Sequence, residues 1–198
     1  MMTRILTCTL LCGLLATPAL AGPPWISIEY PANPHHPSTR GAALLVRAYH
    51  HSTSIAVPVR GTLEGIVDGK RRSVPLDVRA TNLTGVYAVR SALPTDGTWV
   101  LAIQLTEGQK AHAGALVTLD ARGRIAHVEV PSNRTRDGWT VPRALTGRDI
   151  DDALRSARIA NAETNARAPG TALAGLLLVP LLLGAGQLRR RLGQARVA

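Results

Sequence analysis

Ile55-Ala-Val-Pro-Val-Arg-Gly-Thr-Leu-Glu-Gly-Ile-Val67, then Asp68-Gly69, then Lys70-Arg-Arg-Ser-Val-Pro-Leu-Asp-Val-Arg79 is the stretch that decides the fold. Two runs rich in β-branched residues flank an Asp-Gly pair. That pair suits the left-handed central positions of a type I′ turn, so the runs predict a strand and its antiparallel return. Pro58 has no N–H to give a ladder, which places the first strand at an edge or at a bulge.

Working outward, the same grammar repeats. Toward the N-terminus, Trp25–Tyr30 and Ala42–Tyr49 predict strands, separated by a loop that Pro31, Pro34 and Pro37 stiffen. Toward the C-terminus, Gly85–Leu93, Thr98–Leu105, Ala113–Leu119 and Arg124–Val130 predict more, with turns at Pro94-Thr-Asp-Gly97 and Asp120-Ala-Arg-Gly123. About seven or eight strands at 8–12-residue spacing, with no helical period between them, indicate an all-β domain over residues 22–131. An antiparallel sandwich is the expected form, and closure into a barrel is the alternative.

Gly85-Val-Tyr87 and Gly97-Thr-Trp-Val-Leu101 carry a resemblance. A G-x-Y strand, a turn and a G-x-W-x-L strand are similar to the end of the YtkA-like and FixH-like exported domains. Gly61–Gly69 resembles the strand in those domains that modifies a polar edge. The resemblance covers residues 25–106 and implies an immunoglobulin-like sandwich, related in shape to the CopC copper-binding proteins, with Tyr87 and Trp99 in its core. Some members of those families are linked to copper handling or oxidase assembly. This chain departs from them in lacking an N-terminal His followed by Met-rich loops.

The termini predict an exported, tethered protein. Arg4, the apolar run Ile5–Leu15 and Ala19-Leu-Ala21 form a basic, an apolar and a small-residue region, the three parts of a secretory signal over residues 1–21. Leu11 before Cys12 excludes a lipoprotein site. Residues 168–188 carry no charge and reach the roughly 20 residues that a bilayer requires. Arg189, Arg190, Arg191 and Arg196 follow, so the positive-inside rule puts the basic tail, residues 189–198, in the cytoplasm. A sorting tail removed during surface attachment fits the same pattern. Between domain and span, residues 132–146 read as a polar linker. Residues 147–167 read as a mostly exposed juxtamembrane helix or stalk, with Thr146 and Asp149 in a capping-box arrangement.

Charge and cysteine content narrow the chemistry. The formal charge of +10 includes Arg4 and the tail arginines, whereas all 13 acidic residues lie between residues 22 and 167. The exported part is therefore only modestly basic, which suits anionic headgroups or acidic polymers and not nucleic acid. Cys8 and Cys12 both sit in the leader, leaving the exported part without a disulfide or a thiol nucleophile. There is no phosphate-cradling glycine loop, no nucleophile elbow and no carboxylate pair beside a histidine, so no catalytic residue is expected.

Histidine is the remaining chemistry-bearing type, and imidazole is a common ligand for copper and zinc. The pairs His35-His36 and His50-His51 flank a strand of about eight residues, roughly 25 Å, so all four cannot share one site. The same count places His112, read as a loop residue, at the end that carries His50-His51. His50, His51 and His112 are the candidate metal ligands; His127 falls within a strand. Lys70-Arg71-Arg72 at the hairpin tip is a candidate contact for anionic lipid, or a solvated turn. Asp149, Asp151 and Asp152 read as helix N-terminal stabilisers. The expected function is non-enzymatic: a membrane-anchored sandwich, facing the periplasm, that binds or scaffolds another envelope protein or polymer. The alternatives are a copper- or zinc-binding domain and an accessory subunit of a membrane complex.

Overall fold

A computed structural model describes residues 23–107 and 110–166. The segments expected to be a signal (1–21), a span (168–188) and a basic tail (189–198) lie outside them. None of the described helices is long and apolar enough to cross a membrane. In chain order the elements are β1 (Trp25–Glu29), β2 (Leu44–His50), β3 (Thr53–Ser54), β4 (Val59–Val67), β5 (Lys70–Pro75) and β6 (Val78–Ala80). They continue with β7 (Val86–Val89), β8 (Thr98–Glu107), β9 (Lys110–Leu119), β10 (Ile125–Glu129), β11 (Ser132–Arg134), β12 (Thr140–Pro142) and α1 (Gly147–Ala166).

The Asp68-Gly69 turn forms as read. Both residues have positive φ, 51° and 73°, and Val67 pairs with Lys70. The strands are antiparallel throughout; ten of them form two five-stranded sheets, and β11 and β12 pair separately. One runs β1-β2-β7-β6 with β3 added to β2; the other runs β10-β9-β8-β4-β5. Their facing sides share one core. Leu44, Val46 and Ala48 of β2 meet Trp99, Leu101, Ile103 and Leu105 of β8 and Ala113, Ala115 and Val117 of β9. That set follows the period-2 rule, alternate residues of each strand pointing inward. Trp99 is in the core as the resemblance implied. Its ring covers Gly65, where a Cβ would overlap it, and its Nε1–H donates to the Asp96 carbonyl.

Several boundaries differ from the sequence reading. The strand expected to start at Ile55 starts at Val59, because Pro58 cannot donate to a ladder and Ile55–Pro58 runs as a loop. The single return strand is two strands: β5 pairs with β4, and the chain then crosses at Leu76-Asp77 so that β6 pairs with β7 in the other sheet. His112 lies inside β9, not in a loop. The linker at 132–146 contains a two-stranded ribbon, in which Asn133 pairs with Val141 and Gly138, at φ 83°, makes the turn.

The helix forms where expected and is mostly exposed, but its first half docks on the domain. Thr146 N–H donates to Asp149 Oδ2 at 2.7 Å, and Asp149 N–H donates to Thr146 Oγ1 at 3.3 Å, a reciprocal cap with Asp in place of Glu. Ala153, Leu154 and Ala157 are buried, and with Ile150 they form an i, i+3, i+4, i+7 stripe. Leu154 and Ala153 pack on Val100 and Ala102 of β8 and on Leu116 of β9, the side of that sheet facing away from the main core. Leu145 fills the notch left by Gly114. The central strand β8 is thus covered on both faces.

Candidate functional site

Away from the helix, a mostly apolar cleft of about 300 Å³ is lined by Pro24, His50, Ile55, Ala56, Val57, Pro58 and His112. Four parts of the chain build it: Pro24 just before β1, the end of β2, the loop Ile55–Pro58 and the start of β9. The loop is held from below. Tyr87 Oη donates to the Val57 carbonyl at 2.6 Å, and Ile55 N–H donates to the Ala48 carbonyl at 3.0 Å. Burial raises the Tyr87 phenol above its usual value, so it remains a donor across the neutral range. The resemblance implied Tyr87 as core; half-buried, it uses its hydroxyl to fix the cleft wall.

The cleft lies at the end of the fold opposite to the one from which α1 leaves. Leu145 sits at Gly114, near the start of β9, and Asp149 and Asp152 border Thr118 further along the same strand. Arg155 and Arg158 then border Ile66 and Arg71, beside the β4–β5 turn. The helix therefore travels away from His112, toward the Asp68-Gly69, Pro94–Gly97 and Asp120–Gly123 turns.

Of the expected ligands, His50 and His51 are brought together and His112 lines the same cleft. A hydrogen bond of 3.1 Å joins the Nδ1 atoms of His50 and His51, one ring donating its N–H to the other, and the rings meet edge to face with centroids 4.4 Å apart. Adjacent strand residues normally point to opposite faces. This pair escapes that rule because β2 ends at His50 and His51 enters the left-handed region, at φ 53°. The chain reverses through His51 and Ser52, and Thr53 pairs back with His50. Among the described residues, the non-glycine residues with positive φ are His51 and Asp68. Asp68 opens an Asp-Gly turn that requires it; His51 stands where two-residue hairpins favour Gly, Asn or Asp. No group of three His, Cys, Asp or Glu side chains among the described residues is close enough to hold a metal ion. The arrangement is a tight pair with a third histidine on the shared wall.

The other candidates lie apart. His35 and His36 are in the loop between β1 and β2, at the far end of β2 from His50, where the His36 ring meets Ser38 Oγ at 2.8 Å. His127, on β10, borders a separate concavity of about 250 Å³ with Glu129, Asp149, Asp152 and Ser156. Two of its three carboxylates are in use: Arg143 grips Asp149 through two bonds of 2.7 Å, and Arg155 holds Asp152 at 2.7 Å. The Arg143 guanidinium and the Thr146 cap hold the Asp149 carboxyl far below the usual carboxylate range. At the hairpin tip, Arg71 is engaged inward, by Glu64 at 3.2 Å and Asp151 at 2.6 Å.

Sequence reasoning missed the apolar wall of the cleft. Its signal was Pro58, which ends the ladder and leaves Ile55, Ala56 and Val57 to line the cleft.

Fold and cleft together define a two-sheet antiparallel β-domain with a helix on its outer face and a histidine-bearing concavity at one end. No family model, no curated protein and no solved structure matches the chain.

Proposed function

We propose that the protein is an exported, non-enzymatic binding module, an immunoglobulin-like sandwich tethered by a span at 168–188, that captures or scaffolds another envelope component at the cleft. The observation that carries this reading is the placement of the cleft. A ligand-sized, mostly apolar concavity with a few polar groups on its wall, here the imidazoles of His50 and His112, is the usual form of a recognition site. It faces away from the end toward which α1 leads the chain. With the span in a membrane, the helix would hold the cleft outward, where a soluble or neighbouring component reaches it.

Ala56 is exposed on the cleft rim, so a photo-crosslinking residue there tests the proposal in the full-length, membrane-inserted protein. The expected result is a discrete adduct with an envelope protein or polymer, formed in the presence of EDTA and absent when the probe is moved to exposed Arg79. An identical pattern from both positions would refute the cleft as the recognition site.

A second reading, copper or zinc binding, is favoured by the 3.1 Å separation of the His50 and His51 nitrogens.

A further inference from the structure

We infer that His50 and His51 form a two-point chelate, through their Nδ1 atoms, for one divalent transition-metal ion of the copper(II) type. This deepens the reading of the cleft as a binding site by naming the chemical class of one ligand.

Bond geometry carries the inference. Two metal–nitrogen bonds of about 2.0 Å that subtend about 100° place their nitrogens about 3.1 Å apart. That is also the length of the hydrogen bond that now joins the two Nδ1 atoms, so an ion bound there would take the place of the shared proton without spreading the rings apart. The His Cβ–Cγ torsion is broad, so the exposed His51 ring can turn its lone pair toward a point shared with His50 without moving the backbone.

The backbone supplies an independent observation. A histidine occupies a left-handed position in a two-residue turn, where it costs more than glycine would. No packing explains it, because His51 is exposed. What the left-handed turn achieves is to bring the second imidazole beside the first, since an extended His51 would point to the opposite face.

Copper(II) is the ion that an all-nitrogen, incomplete site favours, by ligand preference and by its place at the top of the divalent affinity order. His112 lies on the same wall but does not close a three-ligand cluster. The ion would keep positions open to water or to a donor from a partner. An open site of that kind suits an ion that is passed on.

Titration of the purified full-length chain in detergent with copper(II), buffered by glycine and followed by electron paramagnetic resonance, tests this. One equivalent should bind with nitrogen hyperfine structure, at least tenfold more tightly than to His50→Ala or His51→Ala. His51→Gly, which suits the turn, should lose the site while keeping the wild-type circular dichroism spectrum. His112→Ala should stay within threefold of wild type, and zinc(II) should bind at least tenfold more weakly than copper(II). Unchanged affinity in His51→Gly would overturn the proposal, as would a loss in His112→Ala as large as that in His51→Ala. The titration needs no partner and the Ala56 cross-link needs no metal, so failure of one is distinguishable from failure of the other.

Discussion

At the end of the domain from which α1 leaves, the tight turns place Asp68-Gly69, Gly97 and Gly123 in the left-handed region. Two of those glycines also permit close approach. A Cβ on Gly97 would strike the Ile66 carbonyl, and one on Gly123 the Pro94 carbonyl, so the turns lock together with no side chain between them. At the cleft end the β2–β3 turn asks for the same backbone conformation, and His51 provides it. The first end is built for stability from residues suited to their φ. The second accepts a less suitable residue and gains a pair of nitrogens 3.1 Å apart. Positions that depart from the local rule in this way are where function is expected to sit.

Substitutions can break the contrast or sharpen it. The largest effect is expected at the helix-covered face. Leu154→Ala removes a side chain that is 1% exposed between α1 and the sheet. It should cost about 3 kcal/mol in chemical denaturation, within the range for buried leucines. Amide exchange should accelerate in α1, while copper affinity stays at the wild-type value.

Next comes the cap. Asp149→Asn loses the bidentate Arg143 pair and weakens the Thr146 cap, an expected cost of about 1–2 kcal/mol. The Asp149 carboxyl titrates lower in the folded protein than in the unfolded chain, where its value is near 4. Its contribution is therefore fully present above about pH 4 and is lost as the pH falls through the folded value. A stability–pH profile should show wild type losing its advantage over Asp149→Asn on acidification below about pH 4.

Tyr87→Phe acts on the cleft end. It deletes the 2.6 Å bond to the Val57 carbonyl, and about 1 kcal/mol of destabilisation is expected. Exchange should rise in Ile55–Val59 and not in α1, as hydrogen-exchange mass spectrometry would show. The smallest effect has the opposite sign. His51→Gly relieves a left-handed side chain but adds unfolded-state entropy, for a net gain of about 0.5 kcal/mol.

Much of this arrangement is legible in the chain, and the exceptions have physical reasons. Asp68-Gly69, Gly97 and Gly123 announce their turns because glycine and aspartate are chosen by local backbone geometry. The docking of α1 was less visible: Ile150, Leu154 and Ala157 alone make a narrow stripe, compatible with an exposed stalk. The missing half of that signal lies in β8. Val100 and Ala102 are apolar at the alternate positions where a solvated face would be polar, which marks a strand covered on both sides. The β11–β12 ribbon was read as linker because its residues are polar; pairing there is held by backbone bonds, Arg143 N–H to the Pro131 carbonyl among them. For the site, histidine type and chain spacing suffice to place His50, His51 and His112 at one end. Whether adjacent histidines converge depends on the sign of one φ angle, and histidine at position 51 does not by itself announce a left-handed turn.

The trade of turn stability for a chelate is tested most directly by thermal unfolding of the full-length protein and of His51→Gly, each without and with copper(II). Without copper, His51→Gly should unfold about 1–2 °C above wild type. With copper at about 100 times the dissociation constant, wild type should gain about 2.7 kcal/mol, a shift of several degrees, and overtake a variant that does not respond. Unfolding of His51→Gly below wild type without copper, or equal copper shifts for both proteins, would contradict the account.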